Sequence, residues 1–173
     1  MKNILLFLAL SSTVLFTSCE GDPGPPGPPG QDGVSFLGQV FETTVNFNNS
    51  NNYENFVSFP SNVEVYESDA VLVYHLVETI AGNGGPIDVW EQLPQTYFVN
   101  QGTLVYNFDH TFLDVRLFLD ANFDLNTLAS NFTNNQTFRV AVVPAEFAQT
   151  KPSMKELLQM MQKDDSQIEK IEL

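Results

Sequence analysis

Val71-Leu72-Val73-Tyr74-His75-Leu76-Val77 decides the fold class. Its odd positions carry Val71, Val73 and Val77, and its even positions carry Leu72, Tyr74 and Leu76. A strand shows successive side chains to opposite faces, so a run apolar at both parities predicts a central strand covered on both sides. Around it lie runs apolar at one parity: Leu37, Phe41, Val45 and Phe47; Tyr53, Val57 and Phe59; Leu104, Tyr106 and Phe108; Leu113, Val115, Leu117 and Leu119; Phe138, Val140 and Val142. Each reads as a half-buried strand.

Turn chemistry separates these runs. Residues 48–52 hold four Asn, Gly82-Asn83-Gly84-Gly85-Pro86 is the strongest breaker, and Asn100-Gln101-Gly102 is short enough to close a hairpin. Fifteen Phe, many Val and Thr, and few Lys or Ala suit pleated, half-buried surfaces. Seven or eight strands at this spacing predict an all-β domain over residues 34–150, an antiparallel β-sandwich of immunoglobulin-like or jelly-roll type.

The period changes in the last segment, residues 151–173. Pro152 precedes a capping box formed by Ser153 and Glu156, and Met154, Leu157, Leu158 and Met161 follow at helical spacing. A short C-terminal helix is expected from Met154 to about Lys163. Its apolar stripe either packs on the sandwich or meets a partner. Residues 168–173 read as a last short strand, with Ile171 and Leu173 on one side, or as more helix.

Two segments precede the domain. Lys2, the uncharged apolar run 4–16 and the small Thr17 and Ser18 make an export signal over residues 1–18, too short to span a bilayer as a helix. Leu15-Phe16-Thr17-Ser18-Cys19 resembles the lipobox of bacterial lipoproteins, whose cysteine is acylated and whose chain is cut just before it. Phe16 stands where that family usually has Leu. Cys19 is the only cysteine, so no disulfide competes for it. Acyl chains there, at about 0.8 kcal/mol per buried methylene, would anchor the protein to a membrane.

Residues 19–33 form the spacer. Gly21, Gly24, Gly27, Gly30 and Gly33 recur every third position, with proline in five of the eight places between them. This is the collagen pattern, in which only glycine fits at the crowded axis of three chains. It reads as a stiff tether reaching on the order of 45 Å, or as a stalk that makes a homotrimer. Glu20 and Asp22 make the segment beside the lipid acidic, which resembles surface-exposed lipoproteins of the Bacteroidota. The whole plan, with VLVYHL, WEQLP and FRVAVVPA in the domain, looks like a group of small Bacteroidota lipoproteins with collagen-like repeats. That resemblance implies a β-sandwich at the cell envelope, on the outer membrane, without an established activity.

Few residues suggest chemistry. No glycine-rich string follows a strand and opens a helix, and no serine sits in a GxSxG context. His75 lies inside the most apolar strand, and His110 at a turn. Asp120, Asn122, Asp124 and Asn126 alternate as the oxygen ligands of a Ca²⁺ loop do, although Leu125 and Asn131 replace the Gly and Glu of an EF-hand, and such residues also cap turns unaided. Trp90, Tyr97 and Tyr53 would make a sugar-stacking platform if they shared an exposed face; otherwise they fill the edge of the core.

Loss of residues 1–18 would remove Lys2 and take the net charge from −14 to −15. Between residues 34 and 150 the basic residues are Arg116 and Arg139, each able to bind an anion or to pair with carboxylates such as Asp114. Such a surface repels nucleic acid, which is excluded as a partner. The expectation is a non-enzymatic, lipid-anchored envelope protein, a binding or structural module for an extracellular ligand or glycan. The alternative is a carbohydrate- or calcium-binding accessory module. No cofactor beyond calcium is suggested.

Overall fold

In a computed structural model, which describes residues 38–172, nine strands form two sheets. The signal segment, Cys19 and the glycines of the spacer lie outside the described residues. The strands are β1 (Gln39–Val45), β2 (Glu54–Ser58), β3 (Asp69–Gly82), β4 (Gly85–Gln92), β5 (Gln95–Val99), β6 (Gly102–His110), β7 (Asp114–Ala121), β8 (Gln136–Pro144) and β9 (Glu169–Ile171). One sheet has the order β4-β3-β8-β1-β9, and the other β2-β7-β6-β5.

The fold is an all-β sandwich. Val71 and Val73 of β3, Phe138, Val140 and Val142 of β8, and Phe41 and Val45 of β1 meet Leu104, Tyr106, Val115, Leu117 and Leu119 from the second sheet. Pairing is nested: β1 lies against β8, and β2 against β7. That is the outer half of a rolled jelly-roll ribbon. The inner half differs, because β3–β4 and β5–β6 close as local hairpins at two-residue turns. The glycine-rich breaker sits at the first turn, with Gly82 opposite Gly85. At the second, Gly102 has φ +149, and a Cβ there would lie 2.1 Å from Asn122 Oδ1. That backbone conformation is one that side-chain-bearing residues rarely adopt, so glycine suits the position on conformational grounds.

The two-faced apolarity of β3 has its explanation on the far side of the first sheet. Leu72 and Tyr74 point away from the sandwich, beside Val40, Ala141 and Val143, and pack under Met154, Leu157, Leu158, Met161 and Ile168. These come from helix α2 (Met154–Met160) and the segment behind it; a short helix, α1 (Ala145–Ala148), precedes them. The molecule is thus three-layered here: helix, sheet, sheet. Burial of each such side chain contributes roughly 1.5–3 kcal/mol.

Ser153 and Glu156 form the expected reciprocal capping box. The helix stops earlier than its apolar spacing suggests, at Met160 rather than Lys163. Gln162 takes a left-handed φ of 53°, its N–H donates to Gln159 O, and Lys163 N–H donates to Leu158 O. This is a Schellman ending with glutamine in the place usually held by glycine. The chain then turns through a 3₁₀ segment, Asp165–Gln167, capped by Asp164. Strand β9 follows, parallel to β1, with Glu42 opposite Lys170; the other pairings in both sheets are antiparallel. Ile171 packs against the sandwich core, and Leu173 lies outside the described residues.

Candidate functional site: a groove beside Trp90

Strand β4 is an edge strand bonded only to β3, and α2 crosses the outer face of their sheet. Between strand and helix lies a groove of about 800 Å³. Trp90, Asp88 and Pro86 line it from β4, Lys155, Leu158 and Gln159 from α2, and Lys163 to Asp165 from the turn behind the helix. Trp90 faces outward because Leu76 is its cross-strand partner on that face. Thr79 Oγ1 donates to Asp88 Oδ1 at 2.7 Å, one step further along the hairpin.

Arg139 forms the inner wall of the groove. It sits on β8 among apolar residues, 3 % exposed, with its guanidinium carbon 4.0 Å from the centroid of the Trp90 ring. Its Nε donates to Glu42 Oε2 at 3.0 Å, and its Nη1 to Asp165 Oδ1. Lys170 Nζ lies 2.9 Å from the other oxygen of Glu42. A cation so deeply buried is tolerated only when paired and hydrogen-bonded. Here the carboxylates come from β1 and the C-terminal turn, and the indole supplies a π face. Sequence reasoning found Trp90 and the arginine, not the cluster. Two signals were present: Glu42 is the one charged residue of β1, and Arg139 the one charged residue of β8.

The other candidates lie apart. Tyr97 of β5 faces the sandwich interior, edge-on to Tyr106 and Phe132 at 5.5 and 6.0 Å. Burial pushes its hydroxyl up to about 12. Tyr53 also packs against that core, with its hydroxyl donating to Asn126 Oδ1 at 3.2 Å. Trp90 belongs to the opposite face of the first sheet, so these aromatics form no common platform.

In the Asp120 to Asn126 stretch the oxygens serve the loop. Asn122 Oδ1 accepts from Thr103 N–H at 2.8 Å. Asp124 Oδ1 accepts from the Asn126 backbone N–H and side-chain amide, which holds its carboxyl below the usual range. Asp120 is exposed at the end of β7. Among the described residues no group of three or more His, Cys, Asp or Glu is placed to hold a metal.

His75 is a core residue. It lies between Phe138, stacked at 4.8 Å, and Tyr106 at 4.5 Å. Gln136 donates its amide to Asn131 O and Asn134 O, so its oxygen faces His75 Nε2, 3.0 Å away. Nε2 therefore carries a proton. Gln95 Oε1 stands 3.3 Å from Nδ1. Burial lowers the imidazole pKa. His110 is exposed at the β6–β7 turn, with Nδ1 3.2 Å from Thr111 O.

Arg116 pairs with carboxylates, though not with Asp114, which accepts instead from Thr111 Oγ1. Its partners are Asp109 and Glu54 on the neighbouring strands.

Compared with protein families, curated proteins and solved structures, the chain matches none.

Proposed function

We propose that this protein is a non-enzymatic binding module of the bacterial outer membrane, held by lipid at Cys19 and carried off the bilayer by its Gly-X-Y spacer. The anchor reading rests on the lone cysteine directly behind an uncharged apolar run. The binding reading is carried by one observation: the Trp90 groove, where an aromatic ring, a buried arginine and two lysines line a single concavity. Sites of this kind combine apolar walls with a few placed polar groups. The residues that suggested chemistry have structural work instead. His75 is held in the core by Gln136 and by stacking on Phe138, and Asp124 caps a turn.

The mass of the chain from its native membrane fraction, with protease treatment of intact cells in parallel, tests the anchor and its location. Lipid on a chain beginning at Cys19, removed by the protease, is the expected result. An unlipidated chain would overturn the proposal. Sustained turnover of any substrate in a hydrolase panel would overturn its non-enzymatic part.

A further inference from the structure

We infer that Asn83-Gly84, at the tip of the β3–β4 hairpin, is a self-modification site where the chain converts its own asparagine to aspartate and isoaspartate through a cyclic imide. Asparagine is among the chemically labile side chains. Its conversion needs a small residue after it, an amide free to turn back on the main chain, and backbone loose enough to let it. All three meet at this turn.

Asn83 is the only asparagine of the chain that precedes a glycine. Both residues are exposed, and both lie in the turn, outside the ladder that ends with Gly82 opposite Gly85. A Cβ built on Gly84 would meet nothing within 4 Å, so no neighbour crowds that side of the residue. The Asn83 side chain forms no hydrogen bond with another described residue. Several other asparagines are held. Asn48 Oδ1 accepts the Ser50 and Asn51 N–H groups, Asn51 Nδ2 donates to Asn46 O, and Asn126 Nδ2 donates to Asp124 Oδ1.

The backbone here has little support. β8 pairs with β3 only as far as His75, and a bulge follows between Leu76 and Glu78. From Glu78 to Gly82 the strand pairs with β4 alone among the described residues, and residues 78–81 and 85–88 are all exposed. A two-stranded ribbon of this kind is marginally stable by itself and opens locally at little cost.

The Gly84 nitrogen, having lost its proton to solvent, attacks Cγ of Asn83. The Cγ–Nδ2 bond breaks, Nδ2 takes up a proton, and ammonia leaves behind a cyclic imide. Water then adds to one of the two ring carbonyls. Opening at Cγ gives aspartate, and opening at the main-chain carbonyl gives isoaspartate, whose backbone runs through the former side chain. Water enters, ammonia departs, a carboxylate is gained, and nothing is oxidised or reduced. The isoaspartate form adds a backbone carbon to a two-residue turn, which pulls apart the Gly82–Gly85 and Ile80–Ile87 pairs.

The full-length protein would be incubated at neutral and at mildly alkaline pH, and its peptides followed by mass spectrometry. The peptide holding Asn83 should gain a single mass unit and split into two isomers, before any other asparagine converts. The rate should rise with pH, because the attacking nitrogen must first lose its proton. Gly84→Ala has room for its methyl group, so its melting temperature should stay parental while conversion slows at least tenfold. Asn83→Asp brings the charge without the extra backbone carbon. Hydrogen exchange over residues 78–89 should therefore quicken in the isoaspartate fraction and stay parental in that variant. An intact Asn83, another asparagine converting first, or Gly84→Ala converting as fast as the parent would overturn the inference.

Discussion

The molecule uses the same four-part device twice, once on each sheet's outer face. On the covered face, Arg139 touches Glu42, Asp165 and Trp90; on the open face, Arg116 touches Glu54, Asp109 and Phe118. The ring distances are similar, 4.0 and 4.7 Å. What differs is water: the arginine side chains are 4 % and 36 % exposed. Helix α2 and the C-terminal turn make the difference by roofing one sheet and not the other. The lesson is that an inventory of contacts does not set their energetic weight. Desolvation turns the pairing of Arg139 into a structural necessity, whereas solvent screens that of Arg116.

The largest expected effect tests the covered device. Arg139→Ala leaves Glu42, itself 8 % exposed, with only the solvent-exposed Lys170 to balance it, and strips one face of Trp90. The expected cost is about 3–5 kcal/mol in denaturant unfolding, the range for removing one partner from a buried ion pair. Arg139→Met should recover part of the packing and little of the loss, because Glu42 and Asp165 still lack their partner. An Arg139→Ala protein of parental stability would erase the contrast between the faces.

Next in size is the roof itself. Leu157 is fully buried on the inner side of α2, against the outward residues of β3 and β8. Leu157→Ala should cost about 2–5 kcal/mol. Its sharper readout is hydrogen exchange. Protection should fall first in α2 and β9, exposing the outer surface of the first sheet while the sandwich core stays protected.

A smaller effect comes from the layer the two sheets share. His75 is buried there with a lowered pKa, whereas the unfolded chain titrates near pH 6.5. The unfolded state thus binds the proton first. Stability should be full above about pH 6.5 and decline as pH falls toward the folded pKa. Melting temperature measured from pH 8 to 5 would show this slope, and His75→Gln should flatten it. An unchanged slope in the variant would assign it to the carboxylates.

How much of this could be read from the sequence follows from the range of each signal. The sandwich was legible because its strands are periodic, and VLVYHLV in particular announced a strand covered on both faces. The roof was legible as a helix, since the Ser153–Glu156 box and the spacing of Met154, Leu157, Leu158 and Met161 are local. Its ending was not: a left-handed Gln162 has no compositional mark of the kind glycine gives. Neither was the parallel docking of β9, whose pairing with β1 spans most of the chain. In the site, Trp90 stood out as the sole tryptophan, but its association with Tyr97 was a guess about faces. Tyr97 belongs to a different sheet, and faces are assigned only once the order of strands is known. The same limit hid the Arg139 cluster, where Glu42, Trp90, Arg139 and Asp165 come from four separate elements.

The smallest expected effect closes the comparison from the open side. Arg116 holds the Asp109 carboxyl below its usual range by a direct hydrogen bond, so that pair stabilises the fold fully only above the ordinary carboxylate pKa. The contribution disappears as pH falls through the lowered value. Because both side chains meet solvent, Arg116→Ala should shift the melting temperature at pH 7 by no more than about 2 °C. Even that shift should shrink in 1 M salt, where the screening length is about 3 Å. The same salt should leave most of the penalty of Arg139→Ala intact, since that side chain is only 4 % exposed. If both variants responded alike to salt, the roof would not exclude solvent, and burial could no longer explain why one pair matters more than the other.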